Sequence, residues 1–514
     1  MRRGKLLLII CIVFIFIFIF NVIFIYRALR DRKIISEEDY ENEESKERDD
    51  FKAFITSSYF YPKSKSLGDN ALALVLTINQ KKSINNWWNL QWWNIPKNPE
   101  IVVLSRNATS SSIVRTQYWK ITPHEVCNMI AIFATVQIIP NPTSISLVGY
   151  NSLVDIPFEI PPSIERDVVV CISPLFISEQ WQNFLFAVHI YKKFGAFMNL
   201  YLISAVDSFY YLMKEYENEN YLTIQPWVSA KFVGVSPDIA DPYNQIEFRN
   251  QAGSQTDCLL KYKETAKYVT FLDLDDVLIP RLAPTYLEEI IKIINNRRNI
   301  AFIHYHKENH EISTAKHGEQ FSFEKMFSTL KYEGARETGK IVVDPKNLNY
   351  TWIHFPPFMP VQMRQIVVKE NVITHLKNIL WLEEINGNDE LPKYYNNSEE
   401  HILEYDTISS IENDLQTMMK KPNISKLLSK LPTHHYYANL IGKCYFEKYY
   451  SLHYSGRIKE ITCPGPQLCD YDQREDIKCI HVDADYPEVP KLKPVSYYFA
   501  KNRRFSKNIG CYPH

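Results

Sequence analysis

Glycine is scarce, fourteen residues in 514, and none falls into G-x-G-x-x-G or a Walker A loop. Both phosphate cradles need such loops, because only glycine lets backbone amides close on the phosphates, so dinucleotide and P-loop readings are excluded. Net charge is equally lacking: 58 Lys and Arg against 59 Asp and Glu leave −1. No basic field therefore argues for nucleic acid. The cysteines lack C-x-x-C spacing and paired histidines, which makes a poor zinc site. The apolar run Leu6–Ile25 lacks a small-residue cleavage site, which separates it from a removable signal peptide.

That run is twenty residues long, interrupted only by Cys11 and Asn21, and at helical rise it spans a bilayer core. It is expected to be a retained single-pass anchor over residues 6–26, after a cytosolic tail of residues 1–5. Flanking charge does not orient it, since Arg and Lys lie on both sides. Four N-x-[ST] sequons beyond it, at Asn107, Asn349, Asn396 and Asn423, favour a lumenal chain. So do eight cysteines outside the anchor, five of them Cys444, Cys463, Cys469, Cys479 and Cys511, a spacing that suits disulfides in an oxidising compartment. The stretch Ser36–Asp50 is almost wholly charged and cannot bury a core, so residues 27–66 read as a solvated stem.

Short apolar runs with Pro and Asn joints then suggest a small β-rich domain over 67–165, including Ala71–Ile78, Ile101–Leu104, Met129–Ile139 and Ser146–Val148. Trp87, Trp88, Trp92 and Trp93 cluster between the first two; such residues pack cores or interfaces more often than they stack on sugars. From Asp167 the pattern becomes alternating strands and helices: strand Val168–Ile172, helix Glu179–Phe194 stopped at Gly195, strand Met198–Ser204, strand Thr223–Trp227. A helix near Gln255–Lys267, a helix at Thr285–Asn296 and a strand at Ile300–Tyr305 follow. This alternation predicts an α/β domain over 166–440, a mostly parallel sheet with helices on both faces. Residues 441–514 read as a Cys-rich extension.

The chemistry concentrates at YVTFLDLDDVLIP, Tyr268–Pro280, where an apolar strand stops at Asp273, Asp275 and Asp276. Side chains two apart point to one side of a strand, and the carboxyl end of such a strand is where open α/β sheets bind ligands. Carboxylates so close repel unless a hard cation such as Mn²⁺ or Mg²⁺ lies between them. The motif is the D-x-D of nucleotide-sugar glycosyltransferases, whose metal holds the donor diphosphate. It also matches the first motif of haloacid-dehalogenase-like phosphatases, with Asp273 as nucleophile. A phosphatase needs a later Lys and a strand ending in a motif such as G-D-x-x-x-D, and its nucleophile strand opens the domain. Here three strand–helix units come first.

The order of further segments resembles glycosyltransferase family 92. The likeness runs from C-x-x-P-L (Cys171, Pro174, Leu175) and Trp181 through Phe194–Ala196, Tyr201–Ser204 and Tyr221–Trp227. It continues through Arg249, Gln251, Thr256–Leu259, DLDD-x-L-x-P-R ending at Arg281, Gly339–Pro345, Trp352–His354 and His434–Tyr436. Two positions depart from the family pattern: Thr256 stands where Asn is common, and Tyr437 where Arg is usual.

The resemblance implies a GT-A fold in a type II Golgi membrane protein. It also implies inverting transfer of a hexose, galactose from UDP-galactose, to a glycan hydroxyl with Mn²⁺. The acceptor would be an N-glycan or another glycoconjugate. Asp273 and Asp275 would hold metal and donor, with His435 as third metal ligand; Asp257 and His354 would face the donor. Asp276 would assist or cap the turn. An inverting transfer needs a carboxylate base, for which Glu383, Glu384, Asp389, Glu390, Glu399 and Glu400 are candidates. A non-catalytic carbohydrate-binding relative is the competing reading.

Overall fold

The computed structural model describes residues 51–79, 99–123, 126–237, 240–382, 403–469, 471–472, 474–509 and 511. The expected anchor, the acidic stretch to Asp50 and the tryptophans at 87, 88, 92 and 93 lie outside them. Among the described residues no helix is long and apolar enough to cross a membrane.

The central element is an eight-stranded sheet. Its strands in chain order are β1 (Arg166–Leu175), β2 (Ala196–Leu202), β3 (Leu222–Pro226), β4 (Ala266–Leu272), β5 (Asp276–Leu278), β6 (Ile300–Thr314), β7 (Lys331–Val343) and β8 (Arg364–Trp381). Their spatial order is β3-β2-β1-β4-β7-β6-β8-β5. The first four are parallel and buried on both faces. Val168, Val170 and Ile172 enter one apolar cluster, while Val169 and Cys171 enter another, the two-sided burial that parallel strands require. Helix α1 (Trp181–Lys193) covers the first face, and α2 (Gln251–Lys261) contributes Cys258 and Leu259 to the second. Gly195, at φ +80°, takes the left-handed position just past α1, as a helix stop demands.

Beyond β4 the expected parallel order breaks. β4–β7, β7–β6 and β5–β8 are antiparallel, and only β6–β8 is parallel. The sheet is therefore mixed rather than mostly parallel. The reason is visible in the connections: β6 and β7 are joined without a long crossover helix, only the six-residue Phe323–Ser328, so the second strand returns beside the first. β6 also runs nine residues past the expected Tyr305, through Lys307, Glu308 and His310.

Phe51–Tyr61, inside the range expected for the stem, is a largely buried strand, because its FKAFITSSYFY sequence turns apolar directly after the last aspartates. It lies between Val495–Phe499 and Ala71–Asn79 in a five-stranded sheet that continues with Met129–Gln137 and Tyr118–Lys120. A four-stranded sheet holds Ser111–Thr116, Ile101–Arg106, Ser144–Val148 and Leu153–Ile156. The C-terminal chain is thus woven into the earlier elements; Lys478–Asp485 also pairs with Ser204–Val206. All eight cysteines outside the N-terminal run are paired, as Cys127–Cys463, Cys171–Cys258, Cys444–Cys469 and Cys479–Cys511.

Candidate active site

β4 ends at Leu272, and a tight turn closes as the Asp276 amide donates to the Asp273 carbonyl at 3.1 Å. The chain re-enters at β5, where Asp276 stands opposite His375 of β8, and the Leu376 amide donates to the Asp275 carbonyl at 2.8 Å. The turn overrides the strand's period of two, so the three aspartates meet three different environments.

Asp273 is held by cations and amides. Its Oδ1 accepts from Gln251 Nε2 at 2.7 Å, and its Oδ2 lies 3.0 Å from the buried Lys340 Nζ. Burial alone would raise this carboxyl, but the Lys340 ammonium outweighs it and holds Asp273 well below the usual carboxylate range. Lys340 follows Gly339, where an added Cβ would lie 2.0 Å from the Tyr305 carbonyl. Only glycine permits that close approach of β7 to β6.

Asp275 is 42% exposed at its side chain, with Oδ2 3.5 Å from His375 Nε2. Burial pushes its carboxyl up, and the His375 contact more than reverses this. Asp276 is 1% exposed, and neither of its carboxylate oxygens accepts a hydrogen bond among the described residues. Lys307 Nζ stands 4.0 Å from Oδ1 and 3.7 Å from Glu337 Oε2. Burial therefore pushes Asp276 up to about 6 in spite of Lys307.

The ring of His375 is oriented from behind. Asn309 Nδ2 donates to Glu337 Oε1 at 2.8 Å, which turns Asn309 Oδ1 toward His375 Nδ1 at 2.7 Å. Nδ1 therefore carries a proton whatever the charge of the ring, and Nε2 faces the carboxylates. Burial lowers this imidazole, but the Asp275 contact outweighs it and raises it, so a bound cation would take the place of the Nε2 proton, with Nδ1–H held as in a metal-ligating imidazole. Ligand atoms of Asp275, Asp276 and His375 all lie within 4.8 Å of one another. Two carboxylates and one imidazole suit Mn²⁺ or Mg²⁺. The buried, unsatisfied Asp276 oxygens are the observation that such a cation answers.

The remaining expected residues fall in several places. His354 is beside the site: its Nδ1 donates to the Gly339 carbonyl at 2.9 Å, and burial with the adjacent Lys340 charge pushes it down to about 4. His435 does not join the carboxylates. Its Nε2 pairs with Gln182 Oε1 at 3.1 Å and its ring lies 4.8 Å from that of Trp381, so packing and an amide bond account for it. The imidazole that faces the aspartates is His375. Asp257 accepts from the Tyr59 hydroxyl at 2.9 Å and from the Tyr201 hydroxyl. It lines a cleft of about 550 Å³ with Ser57, Glu159, Lys261 and Arg503, which none of the three aspartates lines. Tyr437, at the position usual for Arg, is fully buried and its hydroxyl accepts from the Arg474 amide at 3.0 Å. Glu383, Glu384, Asp389, Glu390, Glu399 and Glu400 lie outside the described residues.

His375, Lys307 and Asn309 carry no local motif that marks them. Lys340 and Gln251 do sit in segments that carry the family resemblance.

A sequence profile of glycosyltransferase family 92 matches residues 166–419. The Caenorhabditis elegans glycosyltransferase family 92 protein C33H5.2 is 53% identical over 467 residues, covering 90% of this chain and 91% of the relative. The family 92 protein F13G3.3 of the same organism is 34% identical over 484 residues, covering 93% of each chain. Among solved structures, the Pyrobaculum calidifontis mannosyltransferase PcManGT in complex with GDP-Man and Mn²⁺ is similar at 13% identity. It covers 42% of this chain and 58% of that one at a TM-score of 0.24, a likeness too slight to carry weight.

Proposed function

The chain belongs to glycosyltransferase family 92, a glycosyltransferase therefore, and we propose that it moves galactose from UDP-galactose to a glycan hydroxyl with inversion. The observation that carries the reading of this site is the orphaned Asp276 carboxylate facing Asp275 and His375. Those three residues would hold Mn²⁺, which when bound supplies positive charge against the departing diphosphate.

The protein's own groups divide the remaining work. Lys307 reduces the mutual repulsion of the carboxylates, and Asn309 fixes the tautomer of His375. Asp273, anchored by Lys340 and Gln251 yet 36% exposed, would accept from a hydroxyl of the donor's ribose. His354, close to Lys340 and kept neutral, lines the same approach. A carboxylate from the 383–400 candidates would take the acceptor's proton.

Lys340 is also the partner that the phosphatase reading demanded for Asp273. The family membership decides against that reading, and hydrolysis of a colorimetric phosphate ester that dies with Asp273→Asn would revive it. We propose a type II Golgi protein with this domain in the lumen: the four disulfides suit an oxidising compartment, and sequon Asn423 is exposed. Glycosidase treatment should shift its gel mobility, and an unshifted, cytosol-accessible chain would reverse this topology.

The test of the activity is donor turnover by the full chain across UDP- and GDP-sugars, with and without Mn²⁺. UDP-galactose turnover that needs the cation supports the reading. Cation-independent turnover contradicts the metal assignment, and no turnover with any donor favours the non-catalytic carbohydrate-binding alternative.

A further inference from the structure

Helical backbone continues without a break from α3 (Tyr436–Tyr445) through a π-turn at Phe446–Tyr450 to Ser451–Tyr454. π-turns recur at functional sites because the extra residue redirects side chains. Phe446, Tyr450 and Tyr454 follow one another at intervals of four, the spacing of one helical face. They are 58%, 39% and 68% exposed. Large aromatic side chains ordinarily bury most of their surface, so three in a row facing solvent are a departure.

The other side of this helix is anchored at the active site. Tyr445 is buried, its hydroxyl 3.2 Å from Arg249 Nη1 and its ring stacked on Phe248 at 6.1 Å. Tyr449 meets the same Phe248 edge-on at 5.6 Å. Phe248 and Arg249 lie three and two residues before Gln251, whose amide holds Asp273. The helix thus packs on the segment that holds Asp273, and the electrostatics agree with that placement: burial first and then the Asp273 charge raise the Tyr450 hydroxyl, and burial first and then Glu337 raise that of Tyr454. The rings of Tyr450 and Tyr454 are 6.4 Å apart at 25°, a near-continuous aromatic surface.

We infer that Phe446, Tyr450 and Tyr454 form the acceptor platform, on which pyranose rings of a neutral glycan stack as they approach the transfer site. The inference rests on the proposed function and names its substrate class. A pyranose presents an apolar C–H face to an aromatic ring and hydroxyls to phenol groups at its rim. The adjacent Asp273 and Glu337 carboxylates disfavour an anionic sugar.

The full chain should be examined by saturation-transfer NMR with methyl glycosides of the neutral hexoses, 6-deoxyhexoses and N-acetylhexosamines, followed by transfer kinetics with those that bind. Tyr450→Ala and Tyr454→Ala are expected to raise the acceptor KM by about tenfold, with donor hydrolysis in the absence of acceptor unchanged. Tyr454→Trp should retain the wild-type KM, because a stacking ring remains. An acceptor KM within about twofold of wild type in both alanine variants overturns the inference. So does binding of no glycoside by the wild type, or attachment of these rings to phosphatidylcholine vesicles instead. Failure of the functional reading is separate: it would appear as donor hydrolysis that survives Asp275→Asn, whatever the aromatic variants do.

Discussion

Asp276 and Asp257 are buried alike, 1% and 6% exposed, the one at the start of β5 and the other within α2. Their surroundings are opposite. Asp257 receives two tyrosine hydroxyls, from Tyr59 and Tyr201, and with them joins the N-terminal strand to β2. Among the described residues the Asp276 carboxylate receives no hydrogen bond, and it shares its space with Asp275, His375 and a lysine at 4.0 Å. A buried carboxylate whose lone pairs are satisfied by the protein is structural material, whereas one left unsatisfied beside other ligand atoms is an address for a cation. Burial alone would not tell them apart.

The contrast breaks most visibly under substitution of the cation-facing group. Asp275→Asn should lower turnover by about 10²–10³-fold or more while leaving the melting temperature near wild type, since that side chain is 42% exposed. Steady-state kinetics beside a thermal melt would check it. Asn309→Ala should weaken Mn²⁺ affinity by about 10–100-fold, because His375 loses the partner that fixes its tautomer; titration with the metal reads this directly. Asp257→Ala should do the reverse of Asp275→Asn. Leaving the Tyr59 and Tyr201 hydroxyls unpaired should cost roughly 2–4 kcal/mol of stability, with kcat of the folded fraction retained.

Glu179 sharpens the comparison from a third position. It is 2% exposed yet accepts from the Ala438 amide at 2.8 Å, at the start of α3. Burial pushes it up to about 7, only partly opposed by the amides. Its folded-state value lies above that of the unfolded chain, so its favourable contribution is complete below pH ~4.5 and is lost as pH rises through about 7. Stability over that window should fall by roughly 1–3 kcal/mol in the wild type, and the slope should flatten in Glu179→Gln. Denaturant melts at pH 4.5, 6 and 8 would show equal slopes if the assignment is wrong.

Much of this arrangement is legible in the residues themselves. Apolar runs place β1, β2, β3 and β4, Gly195 stops α1, and the abrupt end of YVTFL at the aspartates locates the site. Local pattern fails where polar residues continue a strand. HKENHEIST within β6 falls beyond the strand expected at Ile300–Tyr305 because it is largely polar, yet it stays extended because β7 and β8 pair with it on either side, and Lys307 and Asn309 are thereby carried to the site. His375 reaches Asp275 only through the antiparallel register of β5 and β8, about a hundred residues apart, a relation no local window contains. His435 is expected as a third metal ligand because an imidazole from a late loop can complete such a site, whereas Gln182 and Trp381 supply its actual environment.

Asp276 is thus read as a cation ligand, and Asp257 is not. Calorimetric titration of Mn²⁺, in the presence of UDP, into wild type, Asp276→Asn and Asp257→Asn tests it most directly. Saturable binding in wild type and Asp257→Asn, with its loss in Asp276→Asn, is the predicted result. Equal Mn²⁺ affinity in all three proteins, with Asp276→Asn shown to be folded, would contradict it.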